Sequence, residues 1–489
     1  MATDRKQKSI GKNVIWNGIL SLSSILFPII TFPYITRVLG VETNGAISFA
    51  TSVVNYFALF ATLGLSSYGV KACAQVKDDR NQLSKVTQEL LMISSIAAII
   101  VLVVLYLSLW FVPQFKSYRS LMMVYSVNIV LNVLGMNWMY QGIEKYKYIT
   151  TRSIAFKIIS IVLMFLFVKK PSDGVIYAII SVFAVSAGNI LNIIYSHNYI
   201  SFKRYNEYSF KRHLKPIFIL FATTLAINVY SHMDTVMLGL YQGDYATGIY
   251  SVAVKVKTIL LTLISSFSVV MMSRLSYVGR NSENSMYGLL QKSYELLLFV
   301  TIPICTYFTF FSRESVIFLS GVSFEEASAP MRILMPTIII SSVSQIVGSQ
   351  YSVSIGKEKN LMIAVVTGAI VNLIFNSIFI PKLSYNGAAI GTLIAEATQC
   401  SIQIFLAWQM VKQVFTVKAL GKVVIGTGIA YIISLIFNSM ISISGSFWML
   451  FINACLFFSV YAIVMIILKY ELCLRTPNKT EMRSKRQQG

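Results

Sequence analysis

Charge is scarce in this chain. Of its 489 residues only 12% are Asp, Glu, Lys or Arg, about half the ~25% that a soluble globular protein carries. Too few polar residues remain to cover soluble domains of this length, which excludes soluble enzymes, disordered scaffolds and secreted disulfide modules. There are three histidines, and the five cysteines (Cys73, Cys305, Cys400, Cys455 and Cys473) are scattered without a CxxC pair. Such spacing offers neither a metal set nor a disulfide framework, so the cysteines read as apolar fillers and no cofactor or metal is expected. Long polar stretches are missing as well. The widest gaps between apolar runs, 197–215 and 312–330, leave no room for a soluble catalytic domain. A phosphate-cradling GxxxxGK[ST] loop is absent too, so no ATP hydrolysis is expected.

What is abundant is apolar: 56% of residues are hydrophobic and the mean hydropathy is +0.68. A helix needs about 20 mostly apolar residues to cross a bilayer. Fourteen windows qualify, at 14–35, 44–66, 88–112, 119–140, 149–168, 174–196, 216–240, 247–272, 288–311, 331–354, 361–380, 385–409, 421–439 and 446–468. The first follows a basic N-terminus (Arg5, Lys6, Lys8, Lys12) as a signal peptide would. It is too long for a signal h-region and reads as a retained span.

The basic residues orient these windows. With the N-terminus inside, 31 of the 41 Lys and Arg fall on the cytoplasmic side. Eight lie outside (Arg37, Lys116, Arg119, Lys169, Lys170, Arg313, Arg332, Lys382), and Lys255 and Lys257 fall within a span. An excess this lopsided places both termini in the cytoplasm. It also explains the net charge of +22 by membrane insertion rather than by nucleic-acid binding. Trp16, Trp110, Trp138, Trp408 and Trp448 all fall near span ends, where amphipathic rings prefer the headgroup level.

An internal repeat organises the spans. Val38-Leu39-Gly40 followed by Asn44-Gly45-Ala46-Ile47-Ser48-Phe49-Ala50 resembles Met237-Leu238-Gly239 followed by Thr247-Gly248-Ile249-Tyr250-Ser251-Val252-Ala253. The shared pattern is LG, a short turn, then GxxSxA, with four extra residues in the second copy. Gly142–Lys145 resembles Gly356–Lys359, and Asp173-Gly174 resembles Asn386-Gly387. Six spans per copy is an even number, so the two halves form a parallel repeat about an axis along the membrane normal. The fold expected is an all-α membrane protein of about 14 transmembrane helices, with two six-helix lobes and two appended C-terminal helices. The boundaries expected are 1–197, 198–412 and 413–468, with a basic cytoplasmic tail at 469–489.

With these motifs together, the chain resembles the polysaccharide (O-antigen type) flippases of the multidrug/oligosaccharidyl-lipid/polysaccharide exporter superfamily. The features that carry the likeness are Asn17-Gly18, the run Pro33-Tyr34-Ile35-Thr36-Arg37-Val38-Leu39-Gly40, and Asn44-Gly45. Tyr68-Gly69-Val70-Lys71 with Asp78-Asp79-Arg80, Gln141–Lys145 and Asn386–Gly391 extend it over nearly the whole chain. The resemblance implies two helical lobes facing across a central cavity. It implies a substrate, a polyprenyl-diphosphate-linked oligosaccharide moved from the cytoplasmic to the outer leaflet of a bacterial inner membrane. The drive would be an ion gradient, with H+ or Na+ as the coupling ion, or the membrane potential, and polysaccharide polymerase machinery would be a candidate neighbour. A multidrug/cation antiporter of the same superfamily is the nearest alternative, and a membrane-embedded polysaccharide polymerase or ligase a more distant one.

Charges at mid-bilayer depth mark the candidate site, because each costs about 2.5–3.5 kcal/mol on insertion scales. Lys255 and Lys257 lie near the middle of span 8, about 200° apart around the helix; either suits a diphosphate, or a structural carboxylate. Glu396, near the middle of span 12, suits a proton or sodium site, a partner for Lys255, or an inter-helix hydrogen bond. Asp234 is a candidate cation ligand or a solvated interfacial group, and His232 a packing residue or proton carrier. Arg37 matches phosphate or turn carbonyls, and Lys157 suits snorkelling to the headgroups. Asn55, Asn128, Asn132, Asn189 and Asn192 suit sugar hydroxyls or helix contacts. Pro28 and Pro33 should kink or unwind span 1, making it a candidate gate.

Overall fold

A computed structural model of the chain describes residues 2–278, 283–441, 443 and 445–470. The expected tail beyond Tyr470, and Cys473 with it, lies outside the described residues. Everything described is helix or connection. The helices are α1 (Ala2–Thr62), α2 (Leu65–Gln75), α3 (Arg80–Phe111), α4 (Arg119–Leu134), α5 (Asn137–Gly142) and α6 (Tyr146–Phe167). There follow α7 (Gly174–Val182), α8 (Gly188–Ser196), α9 (Lys211–Tyr241), α10 (Gly243–Val278), α11 (Glu283–Phe310) and α12 (Ser312–Ser320). The last are α13 (Ser328–Leu334), α14 (Pro336–Ser344), α15 (Glu358–Leu406), α16 (Trp408–Val414), α17 (Val417–Met440) and α18 (Ser446–Ile467). Two π-helical segments, Phe183–Ala187 and Gln345–Ser352, join α7 to α8 and extend α14.

Among the described residues nine helical stretches are long and apolar enough to cross a membrane, and a tenth is added by the pair Val322–Leu334 and Pro336–Ser352, bent by 42°. Their apolar faces point outward: in α3 only 28% of the most apolar window is buried, and Ile96, Ile99, Ile100, Val103, Val104 and Leu107 are exposed. In water such a surface would aggregate; in hydrocarbon it is the solvated face. The protein is an all-α, multi-pass membrane protein.

Sequence explains where the helices stop. Asp79 caps α3, its carboxylate accepting from the Asn81 and Gln82 backbone N–H groups at 2.8 and 3.2 Å, and α3 ends just before Pro113. The expected unwinding at Pro28 and Pro33 does not occur. α1 keeps helical backbone through both prolines and breaks at Gly40 (φ 76°) instead, where only glycine holds a left-handed φ without strain. The 49-residue α15 likewise turns at Ser384.

The chain folds into two compact units. One takes in residues 1–252, 319–323 and 373–388; the other takes in 253–318, 324–372 and 389–489. In the first, apolar side chains of α1, α3, α4 and α6, among them Leu39, Phe49, Leu105, Met122 and Met164, form the core. Trp138 joins a second core cluster of the same unit. It is only 7% exposed, so it is a packing residue and not the interfacial ring its place near a span end suggested. Trp110, Trp408 and Trp448 are exposed, and the Arg119 guanidinium lies 4.8 Å from the Trp110 ring centre.

Within the first unit the two copies of the repeated motif meet each other. A methyl built on Gly45 would lie 1.8 Å from the Asp244 carbonyl oxygen, and one on Gly248 would lie 2.2 Å from the Val41 carbonyl oxygen. The contact is reciprocal: each glycine faces the carbonyl four residues before its counterpart. Gly40 and Gly243, five residues before Gly45 and Gly248, share the turn conformation (φ 76° and 78°). The Asn44 amide donates to the Gly40 carbonyl at 2.7 Å and the Thr247 hydroxyl to the Gly243 carbonyl at 2.8 Å. The counterpart of Gly40 is therefore Gly243 and not Gly239, and the four extra residues of the second copy precede its turn. Beside this contact the Tyr118 hydroxyl donates to Asp244 at 2.6 Å. Burial lifts the Asp244 carboxyl above the usual range, against the lowering effect of the Tyr118 bond.

One face of α3 fastens the connection between α8 and α9. The Arg80 guanidinium donates to the His197 carbonyl, Ser84 Oγ accepts from the Ser201 N–H, and the Gln88 amide donates to the Ser201 carbonyl. Glu89, fully buried, accepts from the Ser209 N–H at 2.6 Å, Arg212 at 2.6 Å and His213 Nε2 at 2.7 Å. Replacing Glu89 by Ala removes all three bonds at once. Arg212 is half exposed and can turn to water. The expected loss is therefore that of unmet hydrogen bonds, about 1–3 kcal/mol, read as a lower thermal-unfolding midpoint in detergent, with Glu89→Gln losing less.

Candidate functional site

The mid-membrane charges of span 8 and span 12 meet inside the second unit. Lys257 Nζ donates to Glu396 Oε1 at 2.5 Å, and the Ser341 hydroxyl donates to Glu396 Oε2, also at 2.5 Å. Both members of the ion pair have side chains only 11% exposed. Removing two charges from water costs several kcal/mol per ion, and only close pairing with satisfied oxygens offsets it. Here both carboxylate oxygens are held, one by a cation and one by a hydroxyl.

Helical spacing extends this pair into a polar seam. Glu396, Gln399 and Gln403 follow at three- and four-residue steps and so share one face of α15. Ser344 on α14 donates to Gln403 Oε1 at 2.7 Å and accepts from Gln399 at 3.3 Å. In the π-helical extension of α14, Gln345 donates to Ser265 of α10 at 3.1 Å, and Gln350 accepts from Ser293 of α11 at 2.7 Å. A π segment shifts the register of the side chains beyond it and is frequent at functional sites. Here it turns two glutamines of one segment toward two different helices.

The structure assigns Lys257, not Lys255, as the cation seen on Glu396. Lys255 is partly buried on another face of α10. Asp234 is buried rather than interfacial, and its carboxylate accepts from the Tyr250 hydroxyl at 2.7 Å and the Asn376 amide at 2.6 Å, tying α9, α10 and α15 within the first unit. His232 packs edge-on to Tyr56, with ring centres 6.1 Å apart. Arg37 donates to the carbonyls of Pro33 at 2.8 Å and Leu319 at 3.3 Å, the turn-stabilising arrangement. Lys157 reaches Ser23 and Ser24 instead of the headgroups. Asn55 is exposed on α1. The amides of Asn132 and Asn189 are bonded together and linked through Asn137 to Asn192, while Asn128 stands apart. Ser341 and the glutamines of the seam escaped the sequence reading. Their signal was the polar run Ser341-Ser342-Val343-Ser344-Gln345 inside an apolar span.

The family model described as "Polysaccharide biosynthesis protein" matches residues 10–278, more than half of the chain. The protein belongs to this family. A second model, described as "MatE", matches residues 220–378. A curated relative, "Putative O-antigen transporter" of Escherichia coli (strain K12), is 24% identical over 398 residues, covering 81% of this chain and 96% of that protein. One of the same description from Shigella dysenteriae is 24% identical over 390 residues, covering 77% and 94%. Among solved structures, "Lipid II flippase MurJ, inward closed conformation" superposes with a TM-score of 0.76 at 17% identity, over 94% of this chain and 99% of that one. An inward-facing multidrug resistance MATE family transporter of the MOP superfamily gives 0.61 at 14% identity, over 82% and 98%. At these identities the likeness is one of fold.

Proposed function

We propose that the protein is a flippase for a polyprenyl-diphosphate-linked oligosaccharide, moving it from the cytoplasmic to the outer leaflet by alternating access. It is a transporter and not an enzyme. The site is multi-pass in the bacterial cytoplasmic (inner) membrane, with both termini in the cytoplasm. Counting α1 and α15 as two spans each, adding α9 and α10, and taking the bent pair as one gives fourteen spans. Twelve form the two six-span repeats of 1–197 and 198–412, and α17 and α18 are the two appended ones.

The observation that carries the mechanism is the buried Lys257–Glu396 pair. Driving such a transporter requires a group whose charge changes with ion binding, and Glu396 is placed for it. A proton or Na+ on Glu396 loosens Lys257, and Lys257 or Lys255, on opposite faces of α10, then offers a point charge to the diphosphate. Asp234, held by Tyr250 and Asn376, is a second coupling group. Arg37 and Asn55 are the weaker binding candidates, since Arg37 is engaged with carbonyls. A gate in span 1 would bend at Gly40, with Pro28 and Pro33 supplying flexibility within a continuous helix.

The match to the MatE model favours one alternative, a cation/multidrug antiporter, and substrate charge separates the two. In vesicles with leaflet-resolved detection, the wild type should flip the anionic lipid-linked sugar, and Glu396→Gln should slow it at least tenfold and abolish its dependence on the ion gradient. Lys255→Ala should raise the lipid concentration for half-maximal rate. Export of organic cations with no movement of the lipid would overturn the flippase reading.

A further inference from the structure

The first unit contains a cleft of about 240 Å³ that the ion pair does not touch. Polar but uncharged side chains line it, among them Thr62, Ser66, Asn132, Asn137 and Gln141, together with the indole of Trp138. Two helices are interrupted beside it. α1 gives way to α2 at Leu63-Gly64 (φ 46° and 71°), and α4 gives way to α5 at Met136 (φ 45°). The first interruption lies about 12 residues, or roughly 18 Å of helix, from the end of α2 at Gln75. Broken backbone at membrane depth is tolerated only where protein buries it or where it lines a wet cavity. Here protein covers the backbone itself, with Gly64 against the Phe221 backbone and Met136 only 1% exposed, and the cleft lies alongside.

The lining is built rather than incidental. Asn137 is oriented by three bonds: its Oδ1 accepts from Arg152 at 3.1 Å and Asn192 at 3.0 Å, and its Nδ2 donates to Asn189 at 3.0 Å; Asn189 in turn donates to Asn132 Oδ1 at 3.1 Å. That chain uses the oxygen of Asn132 and leaves its Nδ2 with no protein partner among the described residues. Ser66 and Gln141 likewise make no side-chain hydrogen bond among the described residues. Trp138 fits only because residue 69 is glycine; a methyl there would come within 2.6 Å of the ring. Fixed amides, unspent hydroxyl and amide groups, and an aromatic ring are the donors, acceptors and apolar face that a sugar ring presents its complements to. The absence of any ionisable side chain in the lining argues against a diphosphate. The volume, the bulk share of about eight waters, admits one sugar ring and not a chain of them.

We infer that this cleft is a sugar-reading subsite, in which Ser66, Asn132 and Gln141 hydrogen-bond one residue of the oligosaccharide, and the small part of Trp138 that stays exposed in the wall supplies an apolar contact. The inference rests on the flippase reading for its ligand and adds to it the place where the glycan is selected. The test is equilibrium binding of two probes to the purified full-length protein: polyprenyl diphosphate bearing the host's own oligosaccharide, and bare polyprenyl diphosphate. The wild type should bind the glycosylated lipid at least tenfold more tightly. Ser66→Ala/Gln141→Ala, which breaks no bond within the protein, should erase that preference while leaving bare-lipid affinity and the unfolding midpoint unchanged. Equal affinity of the wild type for both lipids overturns the inference and leaves the flippase reading standing. So does a double variant that keeps the preference, or one that loses it together with its stability. A wild type that binds neither lipid overturns the flippase reading, and this inference with it.

Discussion

Gly248→Ala should lower stability by about 3 kcal/mol, the top of the usual range for overpacking, and Gly45→Ala should do the same. The added methyl would sit 2.2 Å from the Val41 carbonyl in the one case and 1.8 Å from the Asp244 carbonyl in the other. In both, the obstacle is backbone, which has no rotamer to escape into, so the two turns must separate and the packing around them opens. Gly428→Ala is the control. It also lies inside a helix, α17, but a methyl there meets nothing within 4 Å, so it should be neutral or stabilise by up to about 1 kcal/mol through helix propensity. Thermal unfolding of the purified protein in one detergent compares all three. A Gly248→Ala midpoint equal to that of the wild type would refute the close approach.

Lys257→Ala should be nearly as damaging, for an electrostatic reason. It leaves the Glu396 carboxylate buried with only Ser341 to satisfy it, and breaking a buried pair in this way costs about 3–5 kcal/mol. Glu396→Ala strands the ammonium and should cost a similar amount. Lys257→Met/Glu396→Leu removes both charges and keeps apolar volume, so its stability should return to within about 1 kcal/mol of the wild type. Transport should not recover with it, because the group that senses the ion is gone. Measuring unfolding and lipid flipping on the same three variants separates the two roles. A double variant whose loss equals the sum of the two single losses would show that the pair contributes nothing by its coupling.

That the chain is all helix and crosses the membrane many times was legible because it rests on the length of its apolar runs, which needs no knowledge of neighbours. What stood hidden was which face of each helix meets protein. Lipid tails are as apolar as leucine, so a buried face and a lipid-facing one look alike in sequence. Trp138 illustrates this: its place near a span end suggests the headgroup layer, yet it is packed within the first unit. Lys255 and Lys257 illustrate it again. Two residues apart on opposite faces, they are equivalent by depth, and only the position of α15 selects Lys257 for Glu396. The repeat was visible but misaligned, because the Leu-Gly dipeptide drew Gly239 into register where φ identifies Gly243. The amides of 132, 189 and 192 were noticed singly; that Asn137 and Arg152 bind them into one network depends on helix packing that no spacing rule reports.

The reciprocity of the Gly45 and Gly248 contact bears on ancestry. Each copy of the motif presents the same glycine to the same carbonyl of the other, as two identical subunits do across a twofold axis. A half-length chain bearing one copy could have made this contact with a second molecule of itself, and fusion of the two genes would have preserved it. Drift at one position is then constrained by its twin, so a bulkier residue at 45 calls for compensation at 244 or 248, within the same polypeptide.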